Sequence, residues 1–365
     1  MPTPARVVVV PQEQGEPLEV VDLDLPDPGP HQVVVEQFAS GVCHSQLHTI
    51  HNPRAAPAIV GHESTGKVLA VGSAVEDLAE GDTVMVTWVP KDERTARRQG
   101  AALHLDLPDG RRAATLNVFT WATHTLADEM FVVKVPDAID RESTAIIGCA
   151  VITGAGAVLH TAQVQPGDSV AIFGVGGVGL SAVAAAKACG ADPIIAVDLD
   201  DAKLDFAKRF GATHGVNAGK VDAVATIRAM TRQEGRFDIL RNPLEGVDYA
   251  FDCIGVPVTM RQISEVVRAG EFGLTRGGTA VLVGVPQTPI ALDSRLMFIG
   301  ERSYRCSLGG SCSPGEDFPR FLGWQSQGHL DLASLVTARY PIDGIGEAVH
   351  DLEEGRIAGR AILTF

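Results

Sequence analysis

The stretch SVAIFGVGGVGLSAVAAAKACGADPIIAVDLDDAK, residues 169–203, decides the fold around which this 365-residue chain is organised. It opens on a short β-branched strand, Ser169–Phe173. Gly174, Gly176 and Gly179 follow as G-x-G-x-x-G, and an Ala-rich helix is predicted over Leu180–Cys189. A second buried strand, Pro193–Asp198, ends on an acidic residue nineteen positions past Gly179. In such a unit the first glycine allows the tight turn, the second lets the backbone approach a pyrophosphate, and the third lets the helix pack close to the strand. The helix N-terminus presents unpaired N–H groups and partial positive charge to the phosphates. A lone glycine pattern is a weak signal, but here strand, helix and acidic residue agree. Gly174, Val175, Gly176, Gly177, Val178 and Gly179 together form a candidate dinucleotide cradle. The Asp198 carboxylate is placed to accept hydrogen bonds from the adenosine ribose and to repel a 2′-phosphate. At about 4 Å and an effective dielectric of about 20, one charge pair is worth roughly 4 kcal/mol. That favours NAD over NADP. Lys203, five residues on, is within reach of the same ribose.

Outward from this unit, strands and helices alternate. Helix Asp201–Phe210 stops at Gly211. Strand Val247–Cys253, helix Thr259–Ala269 and strand Thr279–Val285 follow, and Ser303–Leu308 reads as a further strand. This alternation predicts a doubly wound parallel sheet. Upstream the texture differs. Arg6–Val10, Gln32–Gln37, Gly66–Val71, Asp82–Thr87 and Glu129–Val135 are short β-like runs broken by Gly and Pro, which predict a small all-β barrel or sandwich. Downstream, helices at Pro319–Gln325 and Gly344–Glu354 and a strand at Ala361–Phe365 are expected to return to the first domain. The expected division is 1–150 completed by 308–365, with 151–307 binding the dinucleotide. Pro90–Leu116 is long, charged and poor in structure signals, and reads as a loop.

Composition sets the class. An apolar fraction of 45% with 39 glycines fits a globular α/β protein. A formal charge of −15 argues against nucleic acid or an anionic membrane surface as partner. The opening MPTPARVVVVPQEQG has an apolar run of only four valines, too short for a signal-peptide core. No segment approaches the length of a spanning helix. A cytoplasmic location is expected, with the six cysteines reduced. Reduced cysteines are candidates for metal ligation or core packing.

Three short blocks carry chemistry: SGVCHSQLH around Cys43, VGHESTG around His62 and IIGCAVITGAG around Cys149. The gaps of 19 and 87 residues form no local metal motif. The donor chemistry nevertheless suits Zn²⁺. Two thiolates and one imidazole balance its charge, and three protein ligands leave a fourth position open, as a catalytic site requires.

With the cradle, the blocks GVCHSQLH, GHESTG and FGVGGVG make the chain resemble the zinc-containing alcohol dehydrogenases of the medium-chain dehydrogenase/reductase family. The resemblance runs end to end, to the terminal GRAILTF. It implies a GroES-like β-barrel-type catalytic domain plus a Rossmann doubly wound parallel-sheet domain. It implies Cys43, His62 and Cys149 as catalytic zinc ligands, with Glu63 a carboxylate close to the metal. Ser45 matches the hydroxyl that takes the substrate proton, and His48 the end of the relay to solvent. His44 and Arg360 match contacts to the cofactor pyrophosphate, Thr153 a residue against the nicotinamide, and Val283, Gly284 and Val285 the backbone that reads the carboxamide. The implied activity is reversible hydride transfer between an alcohol, or its aldehyde, and NAD. A homodimer or homotetramer is implied, with Thr279–Val285 and Ser303–Leu308 at an intersubunit edge.

The chain also departs from the family. Many relatives hold a structural zinc with four cysteines in the loop after the Asp82–Thr87 strand; Pro90–Leu116 has none. One zinc per chain is therefore expected. Gln46 stands where relatives place an aspartate that bonds the ligating histidine, and its amide oxygen is expected to accept that bond. Trp88 matches a position that narrows the pocket, which favours primary or benzylic alcohols; Leu116, Phe119 and Met297 are weaker candidates for its lining. Cys189, Cys253, Cys306 and Cys312 read as packing. A polyol, a thiol adduct of formaldehyde, permanently bound NAD with an external acceptor, and a non-catalytic binding protein on the same fold are the competing readings.

Overall fold

The strand–turn–helix unit read from residues 169–203 is the centre of a six-stranded sheet in a computed structural model that describes residues 2–98, 100, 103–115 and 118–365. From edge to edge the strands are His214–Asn217, Ile194–Asp198, Val170–Phe173, Tyr249–Asp252, Thr279–Leu282 and Ser303–Cys306, all parallel. Helices cover both faces of such sheets, so central strands are continuously apolar and not alternating. Ala171, Phe173, Ile195, Val197, Ala250 and Ala280 are buried together, joined by Ile227, Ile263 and Val266 from helices. The order reverses beside Val170–Phe173, the crevice where dinucleotides bind in doubly wound sheets. This sheet lies in a compact unit of residues 151–312 and 327–331.

Gly174 adopts φ +84°, and a Cβ on Gly179 would lie 1.9 Å from the Gly174 carbonyl oxygen. Only glycine permits that approach of helix to strand. The helix begins at Gly177, three residues before the sequence pattern suggests, and runs to Ala188. No side chain caps it. The two edge-side strands are shorter than expected: Thr279–Leu282 leaves Val283–Val285 in a loop, and Ser303–Cys306 leaves Leu308 outside.

The other unit comprises Met1–Ala150, Ser313–Ser326 and Leu332–Phe365. Its larger sheet orders Val132–Lys134, Thr83–Val86, Ser64–Val71, Gln32–Val42, Arg360–Thr364 and Val336–Pro341, with His124–Asp128 also on Gln32–Val42. The C-terminal strand pairs antiparallel with the end of Gln32–Val42, Ala361 opposite Val42. Its smaller sheet orders Glu19–Leu25, Thr3–Val10, Ala58–Ile59, Arg112–Thr115 and Leu103–Asp106. The four valines at the start of the chain lie buried in the second strand of that sheet, Val7 and Val9 against Leu25, Val34 and Phe119, Val8 and Val10 against Val42 and Trp121.

Three expectations need correction. Pro90–Leu116 is not a bare loop. Asp92 caps a short helix, Glu93–Ala96, and Leu103–Asp106 pairs with Arg112–Thr115 as a hairpin. Leu103, Leu105 and Ala113 point into the core while His104, Asp106 and Arg112 face out, and Pro108-Asp109-Gly110 makes the turn. Charge anchors the preceding segment: Arg98 bonds Asp128 through both terminal nitrogens, at 2.9 and 2.6 Å, and buried Lys91 lies 3.7 Å from Asp77 and 4.0 Å from Glu129. Leu116 lies outside the described residues. Next, Glu129–Val135 is a 3₁₀ turn, Glu129–Phe131, before the strand Val132–Lys134, because the Asp128 carboxylate takes the Met130 N–H. Finally, the helix expected from Pro319 starts at Pro314, where the Asp317 carboxylate accepts from the Ser313 N–H; Pro319 lies inside the helix.

Candidate active site

Strand Gln32–Val42 delivers Cys43 to the start of helix His44–His51. His62 and Glu63 lie just before strand Ser64–Val71, and Cys149 follows the 3₁₀ helix Ser143–Gly148. The Thr87 hydroxyl holds that last segment through the Gly148 carbonyl at 2.6 Å. These elements, 106 residues apart at the extremes, bring one ligand atom each from Cys43, His62, Glu63 and Cys149 within 4.8 Å of one another. The two sulfurs are 3.9 Å apart.

Glu63 is fully buried, and Arg360, at the start of the C-terminal strand, is 5% exposed. The Arg360 guanidinium bonds the Glu63 carboxylate, so the acid is claimed by an arginine. Gly41 makes room for it, since a Cβ there would lie 2.3 Å from the Glu63 carboxyl carbon. A glycine inside a strand often marks such a close approach. Sequence reading missed this role of Gly41, whose place within the Cys43 block was its only signal.

The cluster has its own electrostatics. A hydrogen bond from Cys149, with help from Arg360 and His62, holds the Cys43 thiol well below the ordinary range. The same bond, with burial, pushes Cys149 up. Burial raises Glu63, and the Arg360 charge opposes it. Burial works against charged Arg360, but Cys43, Glu63 and Cys149 keep it protonated. Two buried sulfurs and an imidazole therefore share a pocket whose remaining acid and base neutralise each other. His62 Nε2 is buried without a hydrogen-bond partner. A soft, three-donor set with an orphaned imidazole nitrogen fits Zn²⁺ and leaves a fourth coordination position.

Gln46 does not do what the sequence suggests. Its amide oxygen accepts from the Cys43 main-chain N–H at 2.8 Å, and its amide nitrogen faces His62 Nδ1 at 2.5 Å. The oxygen is engaged because Gln46 is the third residue of the helix that Cys43 caps, a reach the helix itself sets. Ser45, on the same helix, has a buried hydroxyl without a partner. His44 is exposed and His48 half-buried. Trp88 packs edge-on to His62, ring centroids 6.3 Å apart. Phe119 is instead a core residue.

Of the residues expected to bind the nucleotide, all but His44 and Arg360 lie in the other unit. The Asp198 carboxylate accepts from the N–H groups of Val175 at 3.0 Å, Leu199 at 2.8 Å and Asp200 at 3.2 Å. A carboxylate offers about four acceptor positions, so one remains for a ribose. A Cβ on Gly176 would meet nothing within 4 Å, which leaves open space over the uncapped helix start. That cradle fits a pyrophosphate. Thr153 has a buried hydroxyl without a partner. Val283 and Gly284 both donate to the Asp252 carbonyl, and Val285 is exposed. Lys203 is half-buried on helix Asp201–Phe210, and Met297 half-buried on helix Ser294–Ile299. Of the cysteines expected to pack, Cys306 is exposed; Cys312 bonds the Ile152 carbonyl at 3.3 Å.

Residues 29–137 match the model of the alcohol dehydrogenase GroES-like domain, and residues 177–327 that of zinc-binding dehydrogenases. The chain is 30% identical to "Alcohol dehydrogenase class-3" of Cereibacter sphaeroides, with 100% of both chains covered. It is 29% identical to S-(hydroxymethyl)glutathione dehydrogenase of Paracoccus denitrificans, over 96% of this chain and 97% of that one. Among solved structures it is similar to an alcohol dehydrogenase zinc-binding domain protein from Burkholderia ambifaria, with TM-score 0.88, 30% identity and 100% of both chains covered. It is also similar to benzyl alcohol dehydrogenase from Acinetobacter calcoaceticus, with TM-score 0.84, 28% identity and 100% and 99% covered. The chain belongs to the zinc-binding alcohol dehydrogenases of the medium-chain family. It is an oxidoreductase of small-molecule alcohol or aldehyde substrates that uses zinc and NAD. Among the described residues no helix is long and apolar enough to cross a membrane.

Proposed function

We propose that the chain interconverts primary or benzylic alcohols and their aldehydes at a zinc held by Cys43, His62 and Cys149. The observation that carries this reading is the three-donor set of two buried cysteines and His62, whose buried Nε2 has no partner. Because Arg360 claims Glu63, the carboxylate stays out of the ligand set and the fourth position stays open to substrate. When bound, zinc supplies Lewis acidity toward the alcohol oxygen, and NAD supplies the hydride acceptor.

The chain's own residues do the rest. The Ser45 hydroxyl takes the substrate proton at Oγ, a role supported by its buried, unpartnered state. His48, three positions on and so on the same helix face, passes that proton to solvent. The uncapped start of helix Gly177–Ala188 holds the pyrophosphate, and Asp198 the ribose. His44 and Arg360 are assigned to the pyrophosphate only by resemblance; the bond of Arg360 to Glu63 makes support of the metal pocket its first task. Thr153 and the loop Val283–Val285 are assigned to the nicotinamide on the same ground.

Trp88 supports the substrate class. An indole beside His62 forms a flat wall next to the metal position, which admits slim or planar groups. The two units are inferred to act as catalytic and dinucleotide domains. A thiolate pair suits the reducing cytoplasm. Ser303–Cys306 ends the six-stranded sheet and leaves an edge for a second copy in a homodimer or homotetramer. An NAD-reduction assay over benzylic, primary aliphatic and secondary alcohols tests the proposal. Benzylic and primary alcohols should give the highest kcat/KM. S-(hydroxymethyl)glutathione belongs in the same panel, and turnover confined to it or to secondary alcohols would overturn the assignment.

A further inference from the structure

Strand Tyr249–Asp252 ends at the crevice where the order of the parallel sheet reverses. Its last residue, Asp252, is fully buried and pairs with Phe173 on one side and Leu282 on the other. Its carboxylate accepts from the main-chain N–H groups of Ile254 at 2.9 Å and Gly255 at 3.1 Å, and from the Thr259 hydroxyl at 3.0 Å. Its main-chain carbonyl accepts from the N–H groups of Val283 at 2.9 Å and Gly284 at 2.8 Å. One residue thus ties loop 253–256, loop 283–285 and helix Pro257–Val266 together. No side chain separates the two loops where they meet. A Cβ on Gly284 would lie 2.3 Å from the Ile254 carbonyl carbon, and one on Gly255, at φ +89°, would lie 2.7 Å from the Val285 carbonyl oxygen. On its other side, loop 253–256 rests on the glycine-rich turn, since a Cβ on Gly174 would lie 2.4 Å from Ile254 Cγ1. Packing this close leaves no slack, so a shift of one loop displaces the other.

We infer that Asp252 is the positioning residue for recognition of the nicotinamide carboxamide: its carboxylate fixes the backbone of Ile254 and Gly255, and that backbone is the seat of loop 283–285. The inference rests on the assignment of that loop to the nicotinamide made above. The donor pattern then says what the loop can read. The N–H groups of Val283 and Gly284 are both taken by the Asp252 carbonyl, so these two residues offer a ligand main-chain oxygens only. A main-chain oxygen recognises a donor, here the NH₂ of the carboxamide and not its oxygen. Asp252 acts through the loop from beneath it. An ionised carboxylate only accepts, and each of the three groups it meets is a donor.

Cofactor binding to the purified protein, read by fluorescence without substrate, tests the inference. The acetylpyridine analogue of NADH keeps the carbonyl oxygen of the carboxamide and carries a methyl group in place of its NH₂. The wild type should bind NADH about tenfold more tightly than this analogue, the equivalent of one hydrogen bond. Asp252→Ala leaves two loop N–H groups without their acceptor. It should weaken NADH about tenfold and the analogue less than about threefold, so that the preference collapses. Asp252→Asn still accepts from both N–H groups through its amide oxygen and should keep the preference. In the cofactor-free protein, amide exchange at Val283 and Gly284 should rise together with that at Ile254 and Gly255 in Asp252→Ala. Should that variant fail to fold, Thr259→Val removes one bond to the carboxylate, leaves the main-chain bonds in place, and should speed the same amides together. A merely structural role weakens both cofactors alike. Equal weakening, or unchanged exchange at Val283 and Gly284, overturns the inference while leaving the loop assignment intact. A wild type that binds the two cofactors equally overturns the loop assignment and the inference with it.

Discussion

At the scale of single residues, the pocket depends on matched partners as much as on ligands. Cys43, His62 and Cys149 were legible as donor types in sequence, but spacing could not join them, and only the resemblance made them one site. Arg360 and Glu63 show what sequence does not carry. They lie 297 positions apart and meet because the C-terminal strand docks beside Val42. Breaking a buried ion pair leaves an uncompensated charge and costs about 3–5 kcal/mol. Arg360→Met should therefore lower unfolding stability by about that amount. Adding Glu63→Gln should recover much of the loss, since no charge is then stranded. Urea unfolding of the two single variants and the double variant checks this, and strictly additive losses would contradict the pairing.

At the scale of elements, the parallel sheet was readable because its strands are buried on both faces and appear as continuous apolar runs. The hairpin Leu103–Asp106 and Arg112–Thr115 was missed for the opposite reason. It alternates in four-residue strands, and its exposed charges mask the pattern. Helix His44–His51 was missed as well, because its cap is a cysteine and its first turn has no acidic residue. Side-chain clamps also tie elements together. The Asp248 carboxylate accepts from the Ser169 N–H at 2.9 Å, the Ser169 hydroxyl at 2.7 Å and the Arg268 guanidinium at 2.6 Å, joining the starts of strands Val170–Phe173 and Tyr249–Asp252. Burial alone would raise its pKa, but these bonds outweigh burial and hold it below the usual range. A depressed folded pKa contributes stability that is complete above the unfolded value, about 3.9. That contribution is lost as pH falls through the lower folded value. Asp248→Asn should be less stable than wild type at pH 7, by about 1.5 kcal/mol. The gap should close progressively below about pH 4. A gap of constant size across that range would count against the clamp.

At the scale of the whole molecule, the chain pairs a doubly wound sheet with a β-rich unit, each legible in outline from strand and helix texture. The formal charge of −15 suits a protein whose ligands are small molecules. What composition left open was how the metal pocket is balanced. Two sulfurs and an imidazole form the donor set, an arginine neutralises the neighbouring acid, and a glutamine stands between cap and imidazole. The stretch after strand Thr83–Val86 has no cysteine and is held by ion pairs and a hairpin in the core. We expect one metal per chain. X-ray absorption at the zinc edge of the purified protein tests this account most directly. It predicts one zinc per chain, with two sulfur neighbours at about 2.3 Å and one imidazole nitrogen at about 2.0–2.1 Å. A four-sulfur shell, or a shell without sulfur, would contradict it.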